Sequence, residues 1–261
     1  MTESQPIPPV QPPRLRLDWV IGVLFKPRKT FTQVAAQARP IWLTPMLLLT
    51  LTALIVIVVT GPIKKNEALM KGPTLPPSYQ YMTPEQQAQF MKAYEATQGP
   101  IFLYVFPALI ALGKVWLGWL IVGGMLHLVL TLLGGRGSTG VAMNLVAWAA
   151  VPFAVRDAVR IIAMLSTHQL IANPGLAGFA PLATAGFGLY LAKILALIDL
   201  YVIWHILLMV VGVRASNGLA LRKAWISVLV TVFLALNLQA LAAFVTALLG
   251  SLNTTRPFFF F

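Results

Sequence analysis

None of the 261 residues is cysteine, which excludes disulfides and thiolate chemistry and leaves redox compartment unreadable. Charge is scarce too: Asp, Glu, Lys and Arg make up 10% of the chain, and only seven residues are acidic. No HExxH, GxSxG or paired Ser/Lys arrangement occurs, and His127 and His205 stand alone without metal-ligand spacing. The residues offer no catalytic constellation, no cofactor and no metal site, so an enzyme is not expected. A cleavable signal peptide is not expected either, because MTESQPIPPVQPPRLRL contains no apolar core.

What is present is apolar side chain. A 58% hydrophobic composition and a mean hydropathy of +0.81 exceed what a soluble domain can hide, so the chain reads as an integral membrane protein. The formal charge of +12 could suit nucleic acid. Its basic residues, however, gather before the first apolar run and in short loops, the distribution of a protein oriented in a bilayer. Lipids are the expected partner, and nucleic acid is not.

Three regions follow. Residues 1–16 form a Pro-rich tail with too little apolar surface to fold. Residues 17–38 predict a basic helical segment at the headgroup level, broken at Pro27, with Leu17, Val20, Ile21 and Leu24 on one face. Arg14, Arg16, Lys26, Arg28 and Lys29 flank it as contacts for anionic lipid, worth about 1 kcal/mol each. Residues 39–261 predict an all-α domain of five spans: about Ile41–Ile63, Ile101–Leu133, Val141–Leu165, Phe187–Val213 and Ala224–Leu249.

The connections carry their own signals. In the polar stretch between the first two spans, 64–100, TPEQ predicts a helix capped by Thr83 and running to about Thr97, with Phe90 and Tyr94 on one face. GGRGSTG lacks the Gly-Lys-Ser/Thr ending of a phosphate loop and reads as a tight turn. The uncharged connection after the third span holds an Asn-Pro-Gly turn at Asn173. Arg136, Arg214, Arg222 and Lys223 lie in the two loops on the side of the basic tail, which predicts a cytoplasmic N-terminus and an outside C-terminus. Gly118, Gly123, Gly124, Gly186 and Gly188 are candidate close-packing points between helices.

The informative residues are the charges inside the spans: Lys114, Arg156, Asp157, Arg160, Lys193 and Asp199. At ~1.5 Å per residue, Asp157 and Asp199 sit roughly 24 and 21 Å above the cytoplasmic ends of their spans, and Lys114 and Lys193 roughly 28 and 30 Å above theirs. Asp199 cannot snorkel from that depth and needs a partner, with Lys193, Arg156 and Arg160 the available cations. The expectation is an Asp199–arginine clasp joining spans three and four. A proton or anion path is the rival reading, and it is weakened by the lack of an inverted repeat or a matched pair of broken spans.

Several stretches resemble the bacterial branch of the Yip-domain membrane proteins, whose eukaryotic members interact with Rab/Ypt GTPases. They are LFKPRKTFTQVAAQARPIWLTPMLLL, MTPEQQAQFMKAYEA, LLGGRGST, AWAAVPFAVRDAV and IDLYVIWHILLMVVGVRASNGLALRKAW, in that order from about Leu17 onward. The resemblance implies a five-span bundle with an acidic residue ahead of an aromatic-Trp stretch in the fourth span, here Asp199, Tyr201 and Trp204. The tail MTESQPIPPVQPPR carries none of the acidic and aromatic motifs used by the eukaryotic members, so a Rab partner is not implied. Bacterial relatives are similar to accessory membrane subunits, some associated with ABC-type export systems. The resulting expectation is a scaffold or accessory subunit of the cell membrane that contacts other integral membrane proteins, ABC-type transporter subunits among them, or further copies of itself. The alternatives are a small-solute or proton-coupled transporter component and a lipid-organising, membrane-shaping protein.

Overall fold

Proline and charge, more than hydrophobicity, decide where these helices stop. The computed structural model describes residues 15–37, 39–180 and 186–255, and within them every regular element is helical. Arg14 and most of the predicted tail lie outside the described residues. Helix α1, Leu17–Phe25, ends because Pro27 pushes Lys26 out of the helical region, to φ −134° and ψ 56°. Pro27 then opens α2, Pro27–Ala35, at the position where a missing amide costs least.

This hairpin divides its apolar residues between two environments. Trp19, Val23, Phe31 and Val34 are buried in the core, whereas Leu17, Ile21 and Phe25 are 71, 65 and 78% exposed. The predicted single face of Leu17, Val20, Ile21 and Leu24 is therefore split, with an outward stripe at four-residue spacing and an inward one led by Trp19. The hairpin packs as part of the bundle, α2 lying along the helix Leu200–Asn217 and α1 near the helices Thr139–Ala149 and Val151–Thr167, so the basic segment is built into the fold as well as facing its surroundings.

Helix α3, Leu43–Lys71, runs past the predicted end at Ile63 and contains Pro62. A salt bridge between Glu67 and Lys71, four residues apart, supports its polar extension, and the Tyr94 hydroxyl donates to the Ala68 carbonyl at 3.0 Å. Helix α4, Pro84–Thr97, has the predicted capping box: Thr83 Oγ1 accepts from the Gln86 amide, and Gln86 Oε1 accepts from the Thr83 amide. A π-turn over Ile101–Val105 leads into α5, Phe106–Leu132, with the Phe106 amide reaching back to the Ile101 carbonyl.

The two spans expected next are each divided. Helices α6, Thr139–Ala149, and α7, Val151–Thr167, take the place of the third. Helices α8, Gly186–Leu197, and α9, Leu200–Asn217, take the place of the fourth, before α10, Leu221–Thr255. Among the described residues four helices are long and apolar enough to cross a membrane: α3, the run 101–132, α9, and α10 as far as Leu248. The third expected span is not among them, because the break beside Pro152 divides it into two shorter helices.

The core forms where α6 and α9 meet the N-terminal hairpin. Trp148 has no exposed surface; its ring lies 5.6 Å from Trp19 and its indole Nε1 donates to the Ile41 carbonyl at 3.2 Å. Asn144 accepts from the Ile41 amide and donates to the Arg39 carbonyl, so the chain entering α3 has its backbone satisfied. Close helix approach occurs at Gly212, where a Cβ would sit 2.8 Å from Leu145 Cγ and 2.9 Å from the Phe31 ring. Of the predicted packing glycines, Gly123 meets Met143, whereas a Cβ at Gly118, Gly124 or Gly186 would have no neighbour within 4 Å.

Candidate functional site

Pro152 lacks the amide that would bond the Trp148 carbonyl, and the Phe153 amide turns instead to the Ala150 carbonyl at 2.9 Å. That leaves the Ala149 carbonyl without its usual helical donor. His205 of α9 supplies one, with Nδ1 2.8 Å from that oxygen. A carbonyl only accepts, so Nδ1 carries the proton. His205 is buried, with Phe153 against its ring at 5.0 Å; it serves as an interhelical bond, the role expected for an isolated histidine at this depth.

The second break, at Ile198–Asp199, is closed from both sides. Asp199 is extended (φ −139°, ψ 177°) and caps α9, its Oδ1 accepting from the Val202 amide at 2.9 Å. On the α8 side, the Leu195 and Ile198 carbonyls both accept from the Leu176 amide at 3.0 Å. The Asn-Pro-Gly turn seen in the sequence delivers that amide. Gly175 has φ +58°, and a Cβ there would lie 2.6 Å from the Ile198 oxygen and 2.8 Å from the Ala196 oxygen. Gly175→Ala is expected to lower stability by about 1–2 kcal/mol for the left-handed conformation alone, with a further loss from crowding against fixed carbonyls. Gly218, at the end of α9, is left-handed as well (φ 60°, ψ 17°) but has no neighbour within 4 Å, so thermal melting of Gly218→Ala isolates the first contribution. Equal losses for the two variants would show that the carbonyl contact is immaterial.

The ionic residues sit between these breaks. Arg156 Nη1 is 3.5 Å and Arg160 Nη2 4.0 Å from Asp199 Oδ2, while Arg156 Nε is 3.7 Å from Asp157 Oδ1. Thr52 of α3 donates to Asp157 Oδ2 at 3.4 Å, and the Arg156 guanidinium lies over the Phe153 ring at 4.7 Å. Two arginines thus balance two carboxylates, and the balanced set joins α3, α7 and the start of α9. Charges taken from water need this pairing, because a lone one costs several kcal/mol. The positive end of α9 adds to the hold on Asp199. Buried Arg156 Nε lacks a hydrogen bond, so the set is neutral but not fully saturated.

The other predicted residues lie apart from it. Lys114 is exposed on α5, and Lys193 is half-buried on α8; neither forms an ion pair with Asp199. Arg16 bonds Asp18 at 3.1 Å, covers the Trp19 ring at 4.1 Å, and donates its backbone amide to Thr44 Oγ1. The Arg16 hydrogen bond holds the Asp18 carboxyl below its ordinary value. Lys26, Arg28 and Lys29 are exposed around the α1–α2 turn. Among the described residues no three His, Asp or Glu side chains gather to hold a metal ion.

Sequence reasoning missed Thr52, the His205–Ala149 bond and the plug supplied by Leu176. Pro152, an aspartate three residues before a helical amide, and Asn-Pro-Gly were the available signals for the two breaks. GGRGSTG is a structural turn: Gly137 donates to Asn217 Oδ1 at 3.1 Å, and Lys223 Nζ donates to the Leu133 carbonyl at 2.9 Å.

No curated protein and no solved structure matches the chain. The family model of the Yip1 domain matches residues 21–244, from within α1 to within α10, taking in both breaks and the ionic set. With that coverage and four helices of spanning length among the described residues, the chain belongs to the Yip1-domain family and is a multi-pass membrane protein.

Proposed function

We propose that this protein is a non-enzymatic scaffold or accessory subunit that assists the assembly or regulation of another membrane complex. The observation that carries this reading is the use of the intramembrane charges. Arg156, Arg160, Asp157 and Asp199 are spent on one another and on Thr52 and Val202, holding three helices together. The outward surface of the bundle is apolar, with Leu109, Ile110 and Leu117 of α5 and Phe233 of α10 exposed. Such faces suit contact with lipid and with the helices of a partner. The resemblance to bacterial accessory subunits favours an ABC-type exporter of the cytoplasmic membrane as that partner. In this reading α6 and α7 together make a fifth crossing, the basic N-terminal hairpin faces the cytoplasm, and α10 ends outside.

Crosslinking in native membranes, followed by mass spectrometry of what co-purifies with the intact chain, tests the proposal. Recovery of a defined set of integral membrane proteins is expected; recovery of none beyond the chain itself would remove the accessory role. A transport reading gains support from the two broken helices, a feature of carriers that bind solute at the break. It is disfavoured because both breaks are closed by the chain's own groups. Substrate-dependent flux in proteoliposomes would reverse that preference.

A further inference from the structure

At the other end of α9 from the ionic set, a groove of ≈ 670 Å³ opens between α2, α9 and the start of α10. Its volume is in the range of about 300–1,000 Å³ typical of small-molecule sites. Leu207, Val210, Val211 and Trp225 form an apolar surface, and Arg28 and Arg214 are the charged residues that line it. Both arginines are exposed, and no carboxylate pairs with either among the described residues. Arg214 in the last turn of α9 is favoured by the negative end of its helix. Arg28 is in the opposite situation: it stands in the first turn of α2, where the helix's own field disfavours a cation.

We infer that this groove binds an anionic glycerophospholipid, its phosphate held between Arg28 and Arg214 and an acyl chain lying along Leu207, Val211 and Trp225. Charge complementarity and the order of surfaces carry the assignment. Two unpaired guanidiniums supply the fork that a phosphate accepts, and an uncharged hydrocarbon surface leads away from them. Leu207 and Leu221 at its edge are about half exposed, so the groove is open to a chain entering from the bilayer. Trp225 suits the boundary between headgroup and hydrocarbon. An acidic peptide fits less well, because the lining offers its backbone few uncharged polar side chains: the Trp225 indole N–H and the Thr32 hydroxyl, which already donates to the Arg28 carbonyl. The inference differs from general attraction of basic residues to a charged surface, because it requires a particular arginine pair and an apolar slot.

The test is native mass spectrometry of the full chain in detergent, titrated with phosphatidylglycerol or phosphatidylcholine. Wild type is expected to retain phosphatidylglycerol and to lose phosphatidylcholine. The double variant Arg28→Gln/Arg214→Gln is expected to weaken retention at least about tenfold, the loss of two charge-assisted contacts. Leu207→Trp, which fills the slot and leaves both charges, is expected to weaken it as well. Lys64→Gln/Lys65→Gln, at the far end of α3, is expected to change nothing, and all variants should elute as wild type does. Equal retention of phosphatidylcholine, full retention by Leu207→Trp, or an equal loss in the Lys64/Lys65 variant would overturn the inference. So would displacement of phosphatidylglycerol by an acidic peptide at equal concentration, which would assign the groove to a protein partner.

Discussion

Asp199→Ala is expected to be among the most damaging single substitutions in the chain. It removes the carboxylate held by Arg156 and Arg160 and the side-chain cap of α9 in one step. Breaking a fully buried ion pair by deleting one partner costs about 3–5 kcal/mol, because the stranded charge remains; loss of a helix cap costs about 1 kcal/mol. This set is partly buried and the two effects overlap, so a combined loss of about 3 kcal/mol is expected, read as a clear fall in Tm in detergent. Asp199→Asn separates them. It retains an oxygen for the Val202 amide but no charge for the arginines, so its Tm should fall between those of wild type and Asp199→Ala. Wild-type melting of Asp199→Ala would show that the ionic set contributes nothing to the fold.

Trp148→Ala attacks the other support of the bundle. The side chain is fully buried, touches the Trp19 ring and donates to the Ile41 carbonyl, so it ties α6 to α1 and to the entry of α3. Truncating a buried tryptophan costs about 3–5 kcal/mol. Trp148→Phe keeps most of the apolar surface and loses the hydrogen bond to Ile41, so a loss of about 1–2 kcal/mol is expected. The two losses should differ in location as well as size. Trp148→Ala should release the N-terminal hairpin, making the bonds after Arg28 and Lys29 cleavable by trypsin under conditions in which wild type resists. Trypsin resistance equal to wild type would mean that α1 and α2 are held by Phe31 and Val34 without help from Trp148.

How much of this was legible in the sequence depended on range. Local rules served well where the decisive interactions are local. The capping box at Thr83, the stop at Pro27 and the turn at Asn173 all follow from residues within four positions of one another. The membrane class was legible because composition alone forces it. The breaks at Ala150 and Ile198 were not, because hydropathy averages over a window and does not register one redirected hydrogen bond. Pro152 was visible as a helix disturbance, but His205, 56 positions from its partner Ala149, was needed to make the break stable. The ionic set was half legible. Depth arithmetic matched Asp199 with Arg156 and Arg160, which the structure brings together, yet it also kept Lys193 as an available cation and put Lys114 in the same polar cluster, and the structure places both elsewhere. Depth along a span says nothing about which face a side chain takes, and Thr52 on α3 carried no charge to draw notice.

The central claim is that the charges inside the bundle bind helices to one another. A double-mutant cycle on Arg156→Gln and Asp199→Asn, read as thermal stability in detergent, addresses it most directly. Residues in direct contact show coupling of about 0.5–3 kcal/mol, and this pair should fall in the upper half of that range, the double variant being much less damaged than the sum of the singles. Strict additivity of the two losses would mean that Arg156 and Asp199 do not act on each other, and the account of the fold as held by an internal ionic clasp would fail.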